Sequence, residues 1–325
     1  MRHRTFGRIG WSVSEIGYGA WQIGGNMWGT VEEERAEAAL EAALEAGIDF
    51  FDTALAYGMG RSERLVGRVL RRSGARERVR VATKVPPRNG QWPARAEAPL
   101  REVFPAAWIR ECAERSLDNL DIGAIDLLQL HVWTDSWADD AEWYEALAAL
   151  REEGSIRALG VSVNDHDPAS ALRVTRSGRI DSLQVIYNVF DQSPARELFP
   201  AAREMDVGVI VRVPLDEGSL AGRLTTETRF PPQDMRSRYF APERLPEVVR
   251  RVEALRPVLE TDGQSMAEGA LRFCLSDPAV STVIVGSADP AHVRRNAAVS
   301  EQGPLPAATV EALRGHAWPR NFYPA

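Results

Sequence analysis

Lys84 is the sole lysine in a chain whose other 38 basic residues are arginine. On a surface either cation serves, so the exception points to a place that a guanidinium does not suit. Three further polar residues stand at or just beyond the ends of short apolar runs, as Lys84 does: Asp52, Tyr57 and His131. Singly each is weak, because a lone histidine or tyrosine is more often a packed structural residue. Together they make chemical sense. A phenol titrates at about pH 10 and donates its proton poorly at neutrality, and an ammonium close by favours the phenolate and lowers that pKa. A carboxylate such as Asp52 keeps the lysine charged where burial works against it. A neutral imidazole orients a carbonyl oxygen through a hydrogen bond. The set is a general acid aimed at a carbonyl. It holds no hydride, which a bound cofactor has to bring.

Positioning these residues requires a run of alternating elements. Apolar, β-branched runs at 16–20, 50–53, 79–85, 125–131, 156–161, 183–187, 207–213 and 282–285 predict eight strands. Segments of helical periodicity lie between them. The plainest is 32–46, where Ala36, Ala39, Leu40, Ala43 and Leu44 share a face, glutamates crowd the first turn and Gly47 follows as a cap. Further helices are predicted at 62–72, 107–119, 141–153, 168–177, 194–205, 245–259, 265–275 and 290–300. Uniformly apolar strands alternating with helices predict a parallel sheet with right-handed crossovers, and eight strands close it. The expectation is an α/β protein, a single (β/α)8 TIM barrel over residues 1–325, with an N-terminal β-hairpin at 5–16. An open doubly wound sheet wants a glycine-rich turn leading straight into a helix after its first strand. Here Gly17-Tyr18-Gly19-Ala20-Trp21-Gln22 runs into a loop instead.

In such a barrel Asp52, Tyr57, Lys84 and His131 share the C-terminal rim with Ser162, Asn164, Gln184 and Asn188 from strands five and six. Long loops at 86–105 and 215–246 overhang that rim. Trp21, Trp28, Trp92 and Trp133 fall on loops over it and predict an aromatic wall for the substrate.

Bulk composition narrows the partners. Hydrophobic residues at 44% and charged residues at 26% fit a globular protein with a large core and exclude a disordered chain. A net charge of −7 spread along the chain favours neither nucleic acid nor an anionic membrane. No apolar run approaches a membrane span, and none follows the basic Met1-Arg2-His3-Arg4 as a secretion signal would, so a cytoplasmic protein is expected. Cys112 and Cys274 lie inside predicted helices without metal-ligand spacing; they read as buried apolar residues, and no metal is expected.

The stretch Gly47-Ile48-Asp49-Phe50-Phe51-Asp52-Thr53-Ala54-Leu55-Ala56-Tyr57-Gly58, followed by Ser62-Glu63, resembles the signature of the aldo-keto reductases. So do Thr83-Lys84, Asp126-Leu127-Leu128-Gln129-Leu130-His131 and Gly154-Ser155-Ile156-Arg157-Ala158-Leu159-Gly160-Val161-Ser162, and the likeness runs in order from residue 5 to about residue 300. The resemblance implies a barrel that uses NADPH, less often NADH, to reduce aldehydes and ketones, or to oxidise alcohols and sugar hemiacetals in reverse. It implies Tyr57 as proton donor, Lys84 and Asp52 tuning it, and His131 orienting the substrate carbonyl. Ser162, Asn164 and Gln184 resemble the residues that hold the nicotinamide carboxamide, although Val163 separates a pair that the family often has adjacent.

Arg212 stands where many members carry an aromatic residue; its planar guanidinium can stack or reach a pyrophosphate. Pro214, Leu215, Gly218, Leu220, Gly222 and Arg223 resemble the loop that covers the pyrophosphate, with backbone amides at its glycines to face the phosphates. After strand eight, relatives that prefer NADPH clamp its 2′-phosphate with Arg or Lys. The matching Gly286, Ala288 and His292 carry no fixed cation and Asp289 repels a phosphate, while Ser287 and Asn296 remain and Arg294 or Arg295 can swing in. The clamp reads as weakened, which leaves NADPH and NADH both open. The implied partner is a small carbonyl compound or sugar, with an oligomer left open. Two other readings compete. A nucleotide-binding regulatory module, like the potassium-channel β subunits that resemble this family, fits the fold, but the intact Asp52–Tyr57–Lys84–His131 set favours turnover. A hydrolase using Asp52 and Glu63 as paired carboxylates is poor, since Glu63 falls on a predicted helix.

Overall fold

The computed structural model describes residues 1–325 apart from Asn26, Asp262, Pro324 and Ala325. Strands β1 (His3–Phe6) and β2 (Trp11–Ser14) pair antiparallel, with Phe6 opposite Trp11. Eight parallel strands follow: β3 (Ile16–Gly19), β4 (Phe50–Asp52), β5 (Arg80–Val85), β6 (Ile125–Leu130), β7 (Ile156–Ser162), β8 (Ser182–Ile186), β9 (Gly208–Arg212) and β10 (Val280–Val285). They close into a barrel in sequence order, β10 beside β3.

The hairpin plugs that barrel. Phe6 stacks on Phe50 at 5.5 Å and on Trp11 at 5.9 Å. With Val13 it joins Phe50, Ala82, Leu127, Ala158, Ile210 and Ile284 in an interior cluster. Side chains alternate along a strand, so two residues beyond these positions the chain turns Asp52, Lys84, Gln129 and Arg212 inward as well. A polar layer thus sits on an apolar one, at the end of the barrel where the strands finish.

The outward faces, with Phe51, Leu128, Leu183 and Val283, pack against the helices in a second cluster. Trp133 belongs to this packing and not to a substrate wall. It is buried, edge-on to Trp137 at 6.0 Å and to Trp143 at 5.2 Å, and its indole N–H donates to the Ser170 carbonyl at 3.1 Å. Cys112 and Cys274 are buried and unpaired with each other.

The expected helix at 245–259 is two, Leu245–Glu253 and Arg256–Leu259. Pro257 has no N–H to carry one helix through. The loops over the rim are less bare than expected, with a helical turn at Leu100–Val103, a 3-10 segment at Asp216–Ala221 and another turn at Arg236–Tyr239. A helix beyond the predicted set, Ala307–Arg314, leads into a tail that returns to the barrel, where the Trp318 N–H donates to the Phe190 carbonyl at 2.8 Å. Among the described residues no helix is long and apolar enough to cross a membrane.

Candidate active site

Asp52 ends β4 and Lys84 lies within β5, both buried. The Lys84 Nζ donates to Asp52 Oδ1 at 2.7 Å and to the Thr53 carbonyl at 2.7 Å. Gln184 on β8 reaches across the barrel and donates from Nε2 to the other Asp52 oxygen at 2.8 Å. Tyr57 follows in the turn after β4, its ring centroid 5.1 Å from the ammonium.

Two glycines seat that turn. Gly58 has φ +65°, and a Cβ there would stand 2.3 Å from the Gly24 carbonyl oxygen; a Cβ on Gly24 would meet the Tyr57 Cβ at 2.9 Å. Only hydrogen fits at either position, so the segment carrying Tyr57 rests directly on the short helix Trp21–Gly24. His131 follows β6, its N–H bound to the Val85 carbonyl at 3.0 Å. Its ring stands edge-on to Tyr57 at 5.6 Å and to Trp92 at 4.6 Å. Trp21 lies 6.2 Å from Tyr57 and packs edge-on against Trp28 at 5.5 Å.

Burial governs protonation here. It pushes the Tyr57 phenol above its ordinary range, and the Asp52 charge adds to that push while Arg212 opposes it. The lowering expected from Lys84 does not prevail in the resting site, because burial of the phenol outweighs it. Burial likewise lowers the Lys84 amine and raises the Asp52 carboxyl, each partner's charge resisting. His131 is held well below 6.5 by burial, then by the Lys84 and Arg212 charges, so its imidazole is neutral. Its Nδ1 is buried without a hydrogen-bond partner among the described residues. A protonated phenol and a neutral imidazole stand side by side over an ion pair.

A cavity of about 1400 Å³ opens above them. Trp21, Trp28 and Trp92 line it with Tyr57 and His131. So do Ser162, Gln184, Arg212, Pro214, Leu215 and Gly218. On the β10 side it is bounded by Gly286, Ser287, His292 and Asn296, and by Arg223 from the loop after β9. Leu220 and Gly222 stand apart. Leu220 is buried with its N–H on the Leu215 carbonyl, and the Gly222 carbonyl accepts from Arg256 at 2.9 Å. Asn164 lines the cavity, but its side-chain amide pairs with the Ala94 backbone in both directions, at 2.9 and 3.1 Å, and so pins the loop after β5. Asn188 is spent beneath the rim on the Val213 carbonyl and the N–H groups of Phe190 and Asp191. Glu63 accepts from Thr83 Oγ1 at 2.6 Å and from Asn119 Nδ2 at 2.9 Å, holding its helix to the sheet; it forms no carboxylate pair with Asp52 in the cavity.

Arg212 donates to the Val163 carbonyl at 2.8 Å and pairs with Asp165 at 2.8 Å, which leaves its buried Nε without a partner among the described residues. Beyond it Val213, Asp216 and Glu217 take φ of 55°, 48° and 52°, strained for non-glycine residues and typical of a functional segment. What holds that loop was not legible in the sequence. Arg320 donates from Nη2 to both Asp216 oxygens at 2.6 Å while stacking on Trp318 at 4.3 Å, and the Tyr323 hydroxyl donates to Glu217. A tail beyond the last helix has no periodicity; the aromatic residues at 318, 322 and 323 were its only signal.

Glu217 is buried, and burial pushes its carboxyl up to about 7; the Tyr323 hydroxyl opposes this while Asp216 and Asp165 add to it. A folded-state pKa raised from 4.5 gives stability that is present at acid pH and lost as pH rises through about 7. Glu217→Gln is therefore expected to flatten the pH dependence of unfolding. Between about pH 4.5 and pH 8 the wild type should lose on the order of 3 kcal/mol relative to the variant. Parallel denaturation midpoints across that range would show that the carboxyl titrates normally.

An orphaned guanidinium nitrogen, a strained glycine-bearing loop, and a long cavity joining an acid–base set to a cation-lined end fit an extended dinucleotide. The comparisons agree with that geometry. The model of the aldo/keto reductase family matches residues 15–317. The aldo-keto reductase YhdN of Bacillus subtilis is 32% identical over 295 residues, 89% of this chain and 86% of its own. The structure of the glycerol dehydrogenase AKR11B4 from Gluconobacter oxydans aligns with a TM-score of 0.78 at 28% identity, over 97% of this chain and 94% of that one. The holo form of the aldo-keto reductase AKR11C1 from Bacillus halodurans aligns with a TM-score of 0.75 at 29% identity, over 98% and 96%. The chain belongs to the aldo/keto reductase family.

Proposed function

We propose that this chain reduces the carbonyl group of small aldehydes and ketones, with Tyr57 as the general acid. The observation that carries the reading is the Lys84–Asp52 pair at 2.7 Å beneath the Tyr57 ring, with a neutral His131 beside it. Bound NAD(P)H, the cofactor of this family, supplies the hydride. Ser162 and the Gln184 carbonyl oxygen would hold the nicotinamide carboxamide, since the Gln184 Nε2 is bound to Asp52 and both ends of the Asn164 amide are committed to Ala94. Arg212 and the loop from Pro214 to Gly218, which line the same cavity, would hold the pyrophosphate.

His131, neutral, directs a ring nitrogen to the carbonyl oxygen and orients it toward the phenol. As negative charge grows on that oxygen, Tyr57 releases its proton to it, because an alkoxide is a far stronger base than a phenolate. The phenolate left behind is stabilised by the ammonium of Lys84, 5.1 Å from the ring centre. Trp21, Trp28 and Trp92 give the substrate an apolar, aromatic wall.

Oxidation of NADPH and of NADH, each followed at 340 nm with a panel of aromatic aldehydes, ketones and open-chain sugars, tests the reading. Saturable turnover on at least one carbonyl class is expected. Tight cofactor binding with no turnover on any class would favour a regulatory module instead.

A further inference from the structure

The tail beyond the helix Ala307–Arg314 finishes in the cavity wall, where Phe322 and Tyr323 stand with Leu215, Glu217 and Gly218 of the loop after β9. It is wedged between two other segments. The Tyr323 ring lies 5.9 Å from that of His166, in the loop after β7, and 4.8 Å from that of Tyr239 on the turn Arg236–Tyr239. Among the described residues no strand or helix lies beyond Arg314. Local bonds hold the tail instead: the Trp318 N–H on the Phe190 carbonyl at 2.8 Å, and Arg244, which donates to the Phe322 carbonyl at 3.1 Å and lies over its ring at 4.7 Å.

The tail in turn supplies partners to two consecutive acids of the loop. Asp216 is fully buried and accepts from Arg320 at 2.6 Å, from the Tyr239 hydroxyl at 3.1 Å and from Ser219. Ser219 and Tyr239 belong to the loop and its continuation, so Arg320 alone of these donors ties Asp216 to a separate segment. Only 7% of the Arg320 side chain is exposed, and its guanidinium lies over Trp318 at 4.3 Å and Phe322 at 5.0 Å. Glu217, also buried, accepts from the Tyr323 hydroxyl, which burial keeps protonated and therefore a donor. The charges of Asp216 and Asp165 act against the Glu217 carboxylate, and that of Arg212 acts for it.

A buried acid cannot lose its donor and stay in place, because the stranded group then bears its full desolvation penalty. When a partner lets go, the acid has to reach water, and the two acids share one stretch of backbone. That stretch is strained, with φ of 55°, 48° and 52° at Val213, Asp216 and Glu217, so its closed form persists only while it is held from outside. Loop and tail therefore part together or not at all.

We infer that Arg320 and Tyr323 are positioning residues: the tail clasps the loop after β9 over the cavity, and release of that clasp sets the rate at which the cavity exchanges its occupant. The inference rests on the reductase reading for the identity of the occupant, a dinucleotide lying under the loop. The clasp itself rests on the chain's own contacts.

Two readouts on the whole chain test it. Hydrogen exchange followed by mass spectrometry reports opening of residues 213–222 with nothing added, and stopped-flow fluorescence reports release of NADPH displaced by excess NADP+. Tyr323→Phe keeps the ring contacts and removes the hydroxyl alone. Exchange in 213–222 and NADPH release should each rise about tenfold, the scale of one hydrogen bond to a buried carboxyl, while single-turnover reduction by pre-bound NADPH stays within about twofold. Arg320→Gln should raise both rates at least as far. Arg314→Gln, on the preceding helix, should move neither. Wild-type exchange and release in both tail variants would overturn the clasp. Faster loop exchange with unchanged release would overturn its control of the cavity. Faster exchange spread over the barrel strands would mark a general loss of stability and overturn the positioning role. If neither NADPH nor NADH binds the wild type, the reductase reading falls and control of that exchange falls with it, while protection of residues 213–222 still decides the clasp.

Discussion

Tyr57→Phe is expected to lower kcat for carbonyl reduction by roughly 10²- to 10⁴-fold, the range over which a positioned acid contributes. The same variant should bind NADPH and NADH within about threefold of the wild type, since it removes an oxygen and no cofactor-facing charge. The expectation is sharp because the ring itself has other work. It packs against Trp21 at 6.2 Å and His131 at 5.6 Å, and phenylalanine preserves both contacts. Fold and cavity therefore stay in place, and the loss is confined to proton donation. Burial holds the wild-type phenol protonated well above neutrality. Reduction should accordingly show no loss of activity from titration of Tyr57 between about pH 6 and pH 8, whereas alcohol oxidation, which needs the phenolate, should rise with pH. Measuring kcat in both directions, with cofactor dissociation constants by fluorescence, separates these effects. Wild-type turnover in Tyr57→Phe would sink the assignment.

The barrel and its polar layer were legible because both depend on short-range rules. Period-two alternation puts Phe50 and Asp52, or Ala82 and Lys84, on one face of their strands, and the strand's end on the rim follows from barrel topology. The sole lysine was a pointer to a special place, and Lys84 is fully buried, bonded to Asp52 and to the Thr53 carbonyl. Contacts between distant segments were not legible. Trp133 has the composition of a pocket residue but sits where three tryptophans pack edge-on. Asn164 has the side chain of a cofactor ligand, yet the Ala94 backbone from a loop 70 residues earlier claims it. Arg320 and Asp216, 104 residues apart, carry no local pattern at all. The chemistry of single residues could be inferred from type and spacing; the partners that commit or free them required the fold.

Lys84→Met should cost both stability and turnover, and the two losses can be told apart. Removing one member of a buried ion pair leaves the other uncompensated, a penalty of about 3–5 kcal/mol. Asp52 would retain only the Gln184 amide at 2.8 Å, in a site where burial already raises its carboxyl. In the variant the folded-state pKa of Asp52 rises further above its unfolded value. The group's contribution is then favourable at acid pH and lost as pH climbs through the folded value, so the variant should be closest to wild type near about pH 4 and furthest from it near about pH 8. Lys84→Met combined with Asp52→Asn removes the stranded charge and should recover most of the stability at pH 8, without recovering turnover, because no ammonium remains to stabilise the Tyr57 phenolate. Lys84→Arg should fail differently. The slot is fully buried, with contacts of 2.7 Å on Asp52 and Thr53, and a planar guanidinium cannot enter it without displacing one of them. Urea denaturation at several pH values, with single-turnover reduction for each variant, gives both readouts. If Lys84→Met unfolds at the wild-type midpoint at every pH, the pair carries no buried charge. The lysine's role in the mechanism must then be something other than an ammonium beneath the acid.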